Sequence, residues 1–258
     1  MQKRRLGKTD LWVSPIGLGT VKLGRDVGVK YPHAFNLPSD EVITRLLSIA
    51  MDSGINLLDT APAYGSSEAR LGKLLKGKRQ DWVIVTKAGE EFIEGKSYFD
   101  FSPAHLVKSI ERSLLRLQTD YIDMVLVHSD GNDKEIIEVF EVFQTLNKLK
   151  DAGKIRSFGM STKTLAGGLL TIDQADAAMV TYHPGYTDEQ AVLTYANQQQ
   201  KGILIKKALA SGHQPLVTEA LQFIFQEPGV TSVIIGTINP LHLQQNIESA
   251  EKVACRLG

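Results

Sequence analysis

Eight short apolar runs alternate with amphipathic segments from residue 15 onward, and this alternation restricts the fold more than any other feature of the chain. Runs that are apolar throughout are typical of strands buried on both faces, as in a parallel sheet. Eight such units alternating with helical segments, in a chain of 258 residues, predict an α/β fold of the (β/α)8 TIM-barrel class, with an open doubly wound sheet as the alternative. The runs are Pro15–Thr20, Asn56–Thr60, Trp82–Lys87, Met124–His128, Ser157–Ser161, Ala178–His183, Ile203–Lys207 and Ser232–Gly236.

The segments between the runs carry apolar residues at helical spacing. Ser39–Asp52 begins with two capping residues, and Glu135–Leu149 is expected to form one helix that stops at Gly153. Before the first run, Lys3–Val13 contains a turn-like Gly-Lys-Thr-Asp, and we expect it to form a β-hairpin at the N-terminal end of the barrel. Because no linker or repeat interrupts the pattern, residues 1–258 are expected to form a single domain. Further helices are predicted at Ser67–Leu75, Ser102–Leu117, Thr164–Leu170, Glu189–Gln199, Leu216–Gln226 and Pro240–Val253.

The charge balance and the short motifs exclude several classes of protein. Lys and Arg total 29 and Asp and Glu total 29, so no excess of positive charge indicates binding to nucleic acid or to an anionic membrane. The basic N-terminus lacks the apolar run of a signal peptide, and the single cysteine, Cys255, cannot form an internal disulfide. We therefore expect a cytoplasmic protein. The sequence contains no HExxH, CxxC or GxxxxGK motif, which argues against a zinc protease, a zinc ribbon and a P-loop ATPase.

Three consecutive apolar runs, the second to the fourth, end in polar residues that their cores do not need. These residues are Asp59, Lys87 and His128. Singly, each has an ordinary explanation: a helix cap, a solvated lysine and a satisfied core histidine. Together they fall at equivalent positions on neighbouring strands, at the barrel face where active sites lie. Asp59 and Lys87 are expected to form a partly buried ion pair, an arrangement that often marks a functional site.

Tyr64 follows Asp59 by five residues, in a loop that is expected to return its phenol over the barrel mouth. A free tyrosine titrates near pH ~10, which is high for a proton donor at neutrality. The ammonium of Lys87, fixed by Asp59, is expected to lower the pKa of Tyr64. His128, kept neutral beside that cation, is expected to donate a hydrogen bond to a carbonyl oxygen. This set of side chains suits the protonation of an oxygen that is gaining negative charge.

The chain resembles the aldo-keto reductases over essentially its whole length. The family's Asp, Tyr, Lys and His tetrad is matched by Asp59, Tyr64, Lys87 and His128, in the expected order and spacing. Surrounding segments match as well, among them LGKTDLWVS near the start, IGLGT, LDTA, GKIRSFG and IIGT. The resemblance implies NADPH-dependent reduction of a small-molecule aldehyde or ketone, or the reverse oxidation, without a metal. Tyr64 would protonate the oxygen and His128 would orient the carbonyl.

The resemblance also implies a set of cofactor contacts, with several departures from the family pattern. Met179 stands where a glutamine is usual, Lys206 replaces a common aromatic, and no Arg or Lys lies between Gly236 and Asn246 to meet a 2′-phosphate. NADH therefore stays open beside NADPH, with Lys206 or Lys207 as a substitute source of positive charge. Asn239 has an alternative role as the N-cap before a helix. The implied cofactor residues are Gly19, Thr20, Val21, Ser161, Thr162, Lys206, Leu209, Ser211, Gly212, Gly236, Thr237, Asn239, His242 and Asn246.

Substrate choice and some aspects of function stay open at the level of sequence. Substrate contacts are expected from Val21–Tyr31, from Glu90–Phe101 and from residues after His128. The aromatic residues of Glu90–Phe101 either line the substrate site or pack the loop down. Because the chain ends at Gly258, where many relatives continue, we expect an open pocket. Two alternative functions are a cofactor-bound sensor, as among potassium-channel β subunits, and a lyase with a Schiff base on Lys87, which a nearby Asp59 opposes.

Overall fold

The protein forms a closed barrel of eight parallel strands. In this computed structural model the described residues are 1–214 and 216–257; Pro215, Gly258 and the side chains of 255–257, including the thiol of Cys255, lie outside them. All eight apolar runs form barrel strands, so the predicted TIM-barrel class is confirmed. The strands, in barrel order, are β3 (Ile16–Gly19), β4 (Leu57–Asp59), β5 (Val83–Ala88), β8 (Ile122–His128), β9 (Ile155–Ser161), β10 (Ala177–Thr181), β11 (Gly202–Lys206) and β12 (Ser232–Ile235).

A small antiparallel hairpin covers the N-terminal end of the barrel, as expected. Its strands are β1 (Arg4–Arg5) and β2 (Trp12–Val13). Leu6, Leu11 and Val13 of this hairpin are fully buried and belong to the same apolar cluster as the inward-facing strand residues. The bottom of the barrel is therefore filled with apolar side chains, which leaves polar groups to the opposite end.

The helices surround the strands and bury one apolar face each. Ser39 caps the second helix, with its hydroxyl accepting from the backbone N–H of Val42 at 3.4 Å. Among the described residues, no helix has the length and apolar character to cross a membrane. The helices are α1 (Val21–Gly24), α2 (Asp40–Asp52), α3 (Ser67–Leu74), α4 (Pro103–Leu117), α5 (Asp133–Val139), α6 (Val142–Asp151), α7 (Leu165–Gln174), α8 (Gln190–Gln199), α9 (Val217–Phe225) and α10 (Pro240–Leu257).

The prediction of one continuous helix over Glu135–Leu149 is wrong. The helix is interrupted between α5 and α6, where Glu141 adopts a left-handed φ of 51°. This turn lets the ring of Phe140 pack at 6.0 Å from the ring of Phe101. Apolar spacing alone does not reveal the break, because the residues on both sides of it face the same core. The expected end at Gly153 is confirmed, with a φ of 72° just after α6.

The Glu90–Phe101 segment is a second hairpin, formed by β6 (Glu90–Ile93) and β7 (Lys96–Phe99). Residues that lie opposite each other in an antiparallel pair project to the same face. The register pairs Glu90 with Phe99 and Phe92 with Ser97, so these four side chains share the face toward the barrel mouth. Tyr98 lies on the other face, and Phe101 is buried in the core. None of the segment's aromatic residues lines the cavity at the barrel mouth; Phe92 packs against the guanidinium of Arg25, and Phe99 stacks on Phe101 at 6.1 Å.

Candidate active site

The polar layer at the barrel mouth continues the inward-facing rows of the strands. Alternate residues of a barrel strand face the interior. An apolar residue of the inner cluster is followed two positions later by a titratable residue on four of the strands, so all four titratable side chains enter one layer. The pairs are Leu57 and Asp59 on β4, Val85 and Lys87 on β5, Leu126 and His128 on β8, and Leu204 and Lys206 on β11.

Lys87 is the most enclosed cation of this layer. Its Nζ donates to Oδ1 of Asp59 at 2.5 Å and to the carbonyl oxygen of Thr60 at 2.9 Å. The side chains of Lys87 and Asp59 are only 2% and 6% exposed, so water does not screen their pairing. Burial by itself would lower the pKa of Lys87, but Asp59 and Tyr64 raise it above the ordinary lysine value. The lysine therefore stays protonated at neutral pH.

The loop after β4 places Tyr64 against this ion pair. The Tyr64 N–H donates to the carbonyl oxygen of Ala61 at 3.0 Å, and the next residue, Gly65, has a φ of 59°. A Cβ on Gly65 would lie 2.1 Å from the carbonyl oxygen of Gly24, so only glycine allows the two loops to approach this closely. The resulting turn sets Nζ of Lys87 4.8 Å from the centroid of the Tyr64 ring.

The expected direction of the Tyr64 pKa shift is wrong. Burial raises the pKa of Tyr64 above that of a free phenol, Asp59 and Glu90 raise it further, and the opposing effect of Lys87 is smaller. The expectation considered the ammonium of Lys87 but not the burial of the phenol, which has the largest effect on its pKa. At neutral pH Tyr64 is thus a protonated phenol with a cation beside it. Such a group can give up a proton when a stronger base develops next to it.

His128 lies across the mouth from Tyr64, with ring centroids 6.3 Å apart and an angle of 84° between the rings. Its Nδ1 is 2.7 Å from Oε2 of Glu90, and Ser97 donates to the other oxygen of that carboxylate at 2.6 Å. Burial lowers the pKa of His128 below its ordinary value; Glu90 raises it, and the cations Lys87 and Lys206 lower it further. The Glu90 contact was missed because a two-residue Glu94-Gly95 turn is a weak hairpin signal in sequence.

Lys206 stands on the opposite side of the layer and has different partners. Its Nζ donates to Oγ of Ser161 at 2.8 Å and to the carbonyl oxygen of Thr162 at 2.5 Å. Glu189, the acidic residue with the largest electrostatic effect on Lys206, accepts instead from the Thr162 hydroxyl and the Thr181 N–H, at 3.0 and 2.9 Å. Burial lowers the pKa of Lys206 to about 7, against a smaller opposing effect of Glu189.

A cavity of about 360 Å³ opens above this layer. It brings together the four tetrad residues and most of the implied cofactor residues. The cavity-lining residues among the sequence predictions are Asp59, Tyr64, Lys87, His128, Gly19, Thr20, Val21, Ser161, Lys206, Leu209, Ser211, Gly212 and Gly236.

Five implied cofactor residues do not line this cavity. Thr162 is buried behind Lys206, and Thr237 accepts from the Asn239 N–H at 3.1 Å. Asn239 caps α10, since its Oδ1 accepts from the Leu241 N–H at 2.9 Å. His242 and Asn246 lie on α10, exposed and buried respectively. Their assignment as cofactor contacts stays a prediction.

The cavity wall carries lysines without carboxylate partners, which fits an anionic dinucleotide. Within residues 1–214 and 216–257, none of these lysines has a carboxylate oxygen within 4.0 Å of its amine. Tyr31 lines the same cavity, and its hydroxyl oxygen would lie 3.4 Å from a Cβ atom placed on Gly236. Lys22, Lys30 and Tyr31 belong to the Val21–Tyr31 segment, which was expected to contact the substrate and does line the cavity. The lysines are Lys22, Lys30, Lys163, Lys206 and Lys207.

Comparison with known proteins identifies the family. The model of the aldo/keto reductase family matches residues 15–212. The chain belongs to the aldo-keto reductase family. A solved structure from Pseudomonas aeruginosa, classed with the aldo-keto reductases, is 52% identical, with a TM-score of 0.91 over 98% of this chain and 95% of that one. The holo form of an aldo-keto reductase from Bacillus halodurans is 26% identical, with a TM-score of 0.82 over 97% and 91% of the two chains.

A curated aldo-keto reductase from Bacillus subtilis is 33% identical over 82% of this chain and 63% of its own length. This chain thus spans less than two thirds of that relative. Because the chain is an aldo-keto reductase, its class of chemistry is the NAD(P)H-dependent oxidoreduction of carbonyl compounds.

Proposed function

We propose that this aldo-keto reductase reduces an aldehyde or ketone to an alcohol, with Tyr64 as the general acid. The observation that carries the proposal is the buried Lys87–Asp59 pair at 2.5 Å with the Tyr64 ring beside it. When bound, the reduced nicotinamide supplies the hydride that goes to the carbonyl carbon. Tyr64 gives its phenolic proton to the carbonyl oxygen, and the fixed ammonium of Lys87 stabilises the phenolate that remains.

NADP(H) is the cofactor that we propose, with NAD(H) as the alternative. Lys206 and Lys207 line the same cavity as Ser211 and Gly212, and neither amine has a carboxylate partner among the described residues, so both can donate to phosphate oxygens. Ser161, at the end of β9, lies between Lys206 and the tetrad and suits a contact with the carboxamide of the nicotinamide. The lysine-lined wall favours the cofactor with the larger negative charge.

The Schiff-base alternative for Lys87 is less compatible with the site. A lysine attacks a carbonyl only as the neutral amine. The pKa of Lys87 is raised by Asp59 and Tyr64, which keeps the amine protonated. Borohydride treatment with a carbonyl compound is therefore expected to leave Lys87 unmodified, and a stable adduct on Lys87 would contradict the proton-transfer role.

Tyr64→Phe tests the proposal directly, because it removes only the hydroxyl. We expect at least ~100-fold slower reduction of an activated aromatic aldehyde with NADPH, and a nearly unchanged NADPH dissociation constant. Tyr98→Phe is the matched control, since Tyr98 lies on the outer face of the β6–β7 hairpin. Parallel loss of binding and turnover would make Tyr64 a binding residue. Tight cofactor binding without turnover in the unmutated protein would favour the sensor function.

A further inference from the structure

We propose that Glu90 is a positioning residue that holds the proton of His128 on Nδ1, so that Nε2 carries a proton only when the ring is an imidazolium. The inference rests on the proposed function, because it concerns which form of His128 meets the substrate. It also replaces the sequence-based expectation that a neutral His128 donates to the carbonyl.

The β6–β7 hairpin holds the Glu90 carboxylate against His128. Glu90 is 8% exposed, and its Oε2 lies 2.7 Å from Nδ1 of His128. Ser97, on the same face of the hairpin, donates to Oε1 at 2.6 Å, so the carboxylate is held from both ends. Glu91, the next residue, faces the other way and contacts Arg112 and His105 on α4. Because successive side chains of a strand alternate between its two faces, Glu90 points toward the barrel mouth and Glu91 points away from it.

The charges around the pair keep Glu90 ionised. Burial would raise the pKa of Glu90, but His128, Ser97 and the guanidinium of Arg25 lower it to about 2. An ionised carboxylate has only acceptor sites, so the imidazole nitrogen that faces it must carry a hydrogen. The groups that face His128 are Glu90 from β6, Lys87 from β5, Lys206 from β11 and the Tyr64 phenol from the loop after β4.

The remaining nitrogen, Nε2, is the one that can meet a ligand. The Nδ1 atom has no exposed surface, and the contact that it makes is the one with Oε2 of Glu90, which is close at 2.7 Å but not in line with an ideal N–H bond. The His128 side chain as a whole is 19% exposed and lines the cavity. In the neutral ring with its hydrogen on Nδ1, Nε2 is an acceptor only. It can therefore accept the Tyr64 hydroxyl or a water, but it cannot donate to a carbonyl oxygen.

This assignment gives His128 a pH-dependent role in the reaction. In the imidazolium form, Nε2–H donates to the carbonyl oxygen while that oxygen takes the Tyr64 proton and the carbonyl carbon takes the hydride. The His128 proton stays on Nε2 throughout, so the step is balanced without it. As pH rises and Nε2 loses its hydrogen, reduction is expected to slow, while the cofactor still binds.

The first test needs no turnover and so is independent of the proposed function. ¹⁵N NMR of the unmutated protein, with His128→Gln to assign the signal among the six histidines, reports which ring nitrogen is protonated. We expect the neutral ring of His128 to carry its hydrogen on Nδ1. A neutral ring with its hydrogen on Nε2 would overturn the proposal, even if the enzyme proved to be a reductase.

The second test compares two isosteric variants of neighbouring glutamates. Glu90→Gln removes the charge that raises the pKa of His128, so the alkaline fall in kcat/KM for reduction should move to lower pH by about one unit or more. Glu91→Gln, on the other face, should leave both this profile and the His128 ¹⁵N shifts unchanged. A uniform loss of rate in Glu90→Gln, without a shift in the profile, would indicate a merely structural role and overturn the proposal.

Discussion

Lys87 and Lys206 lie near the C-terminal ends of two barrel strands, β5 and β11, and reach into the same polar layer, yet their environments shift their pKa values in opposite directions. Lys87 has a carboxylate oxygen at 2.5 Å, and its pKa is raised. Lys206 has a hydroxyl and a carbonyl oxygen as partners, and burial lowers its pKa to about 7. The side chains differ in their acceptors, since Asp59 is available to Lys87 whereas Glu189 is held by Thr162 and Thr181.

This difference shows how one barrel mouth can hold two lysines for different tasks. A lysine paired with an internal carboxylate is a permanent cation that needs no ligand for its stability. A buried lysine with only neutral partners has no negative charge to balance its own. An anionic ligand that reaches the lysine can supply that negative charge. We infer that Lys87 belongs to the proton-transfer side of the site and Lys206 to the cofactor side.

The largest effect is expected from Lys87→Met. This change leaves the Asp59 carboxylate buried without its cation, so the free energy of unfolding should fall by about 3–5 kcal/mol. Reduction should slow by ~1000-fold, because the phenolate of Tyr64 loses its stabilising charge. Chemical denaturation and steady-state rates measure the two losses. A variant as stable as the unmutated protein would contradict the tight coupling of this pair.

Lys206→Met should produce the reverse pattern. Because Met buries no charge and Lys206 has no carboxylate partner among the described residues, stability to denaturant should be retained or increased. The dissociation constant for NADPH should rise by ~10–100-fold, the usual loss for a charged hydrogen bond to an anion. With saturating cofactor, the rate of the chemical step should stay near that of the unmutated protein. A loss of rate at saturation would place Lys206 with Lys87 on the catalytic side.

Much of this comparison, but not all of it, could be predicted from the sequence. Apolar runs that end in Asp59, Lys87 and His128 revealed both the barrel and the shared layer, because period-two alternation fixes which residues face inward. The direction of the Tyr64 pKa shift was missed, since it depends first on burial and then on Asp59 and Glu90. The Glu90–His128 contact depends on the register of the β6–β7 hairpin, and the break at Glu141 depends on a backbone angle. Neither feature has a strong local sequence signal.

The smallest expected effect is a pH dependence of cofactor binding that Lys206 confers and Lys87 does not. With a pKa of about 7, Lys206 is half protonated near neutrality in the free protein. A bound anion favours the protonated form, so binding takes up a proton at Lys206, and affinity falls as pH rises above 7, by at most ~10-fold per unit. Below pH ~6 the affinity should level off, because the lysine is already charged. The Lys87 contribution stays constant over this range, since its pKa is raised.

Isothermal titration of NADP⁺ and NAD⁺ between pH 6 and 9, for the unmutated protein and Lys206→Met, measures this dependence. NAD⁺ lacks the extra phosphate, whose own titration near pH ~6 would otherwise add to the slope. We expect the slope for NAD⁺ to disappear in Lys206→Met, and the slope for NADP⁺ to fall to the part that its own phosphate contributes. Lys207→Met is the control, because Lys207 is the neighbouring cavity-lining lysine and should leave the slope in place. A slope that persists in Lys206→Met and disappears in Lys207→Met would assign the pH dependence of cofactor binding to Lys207 instead of Lys206.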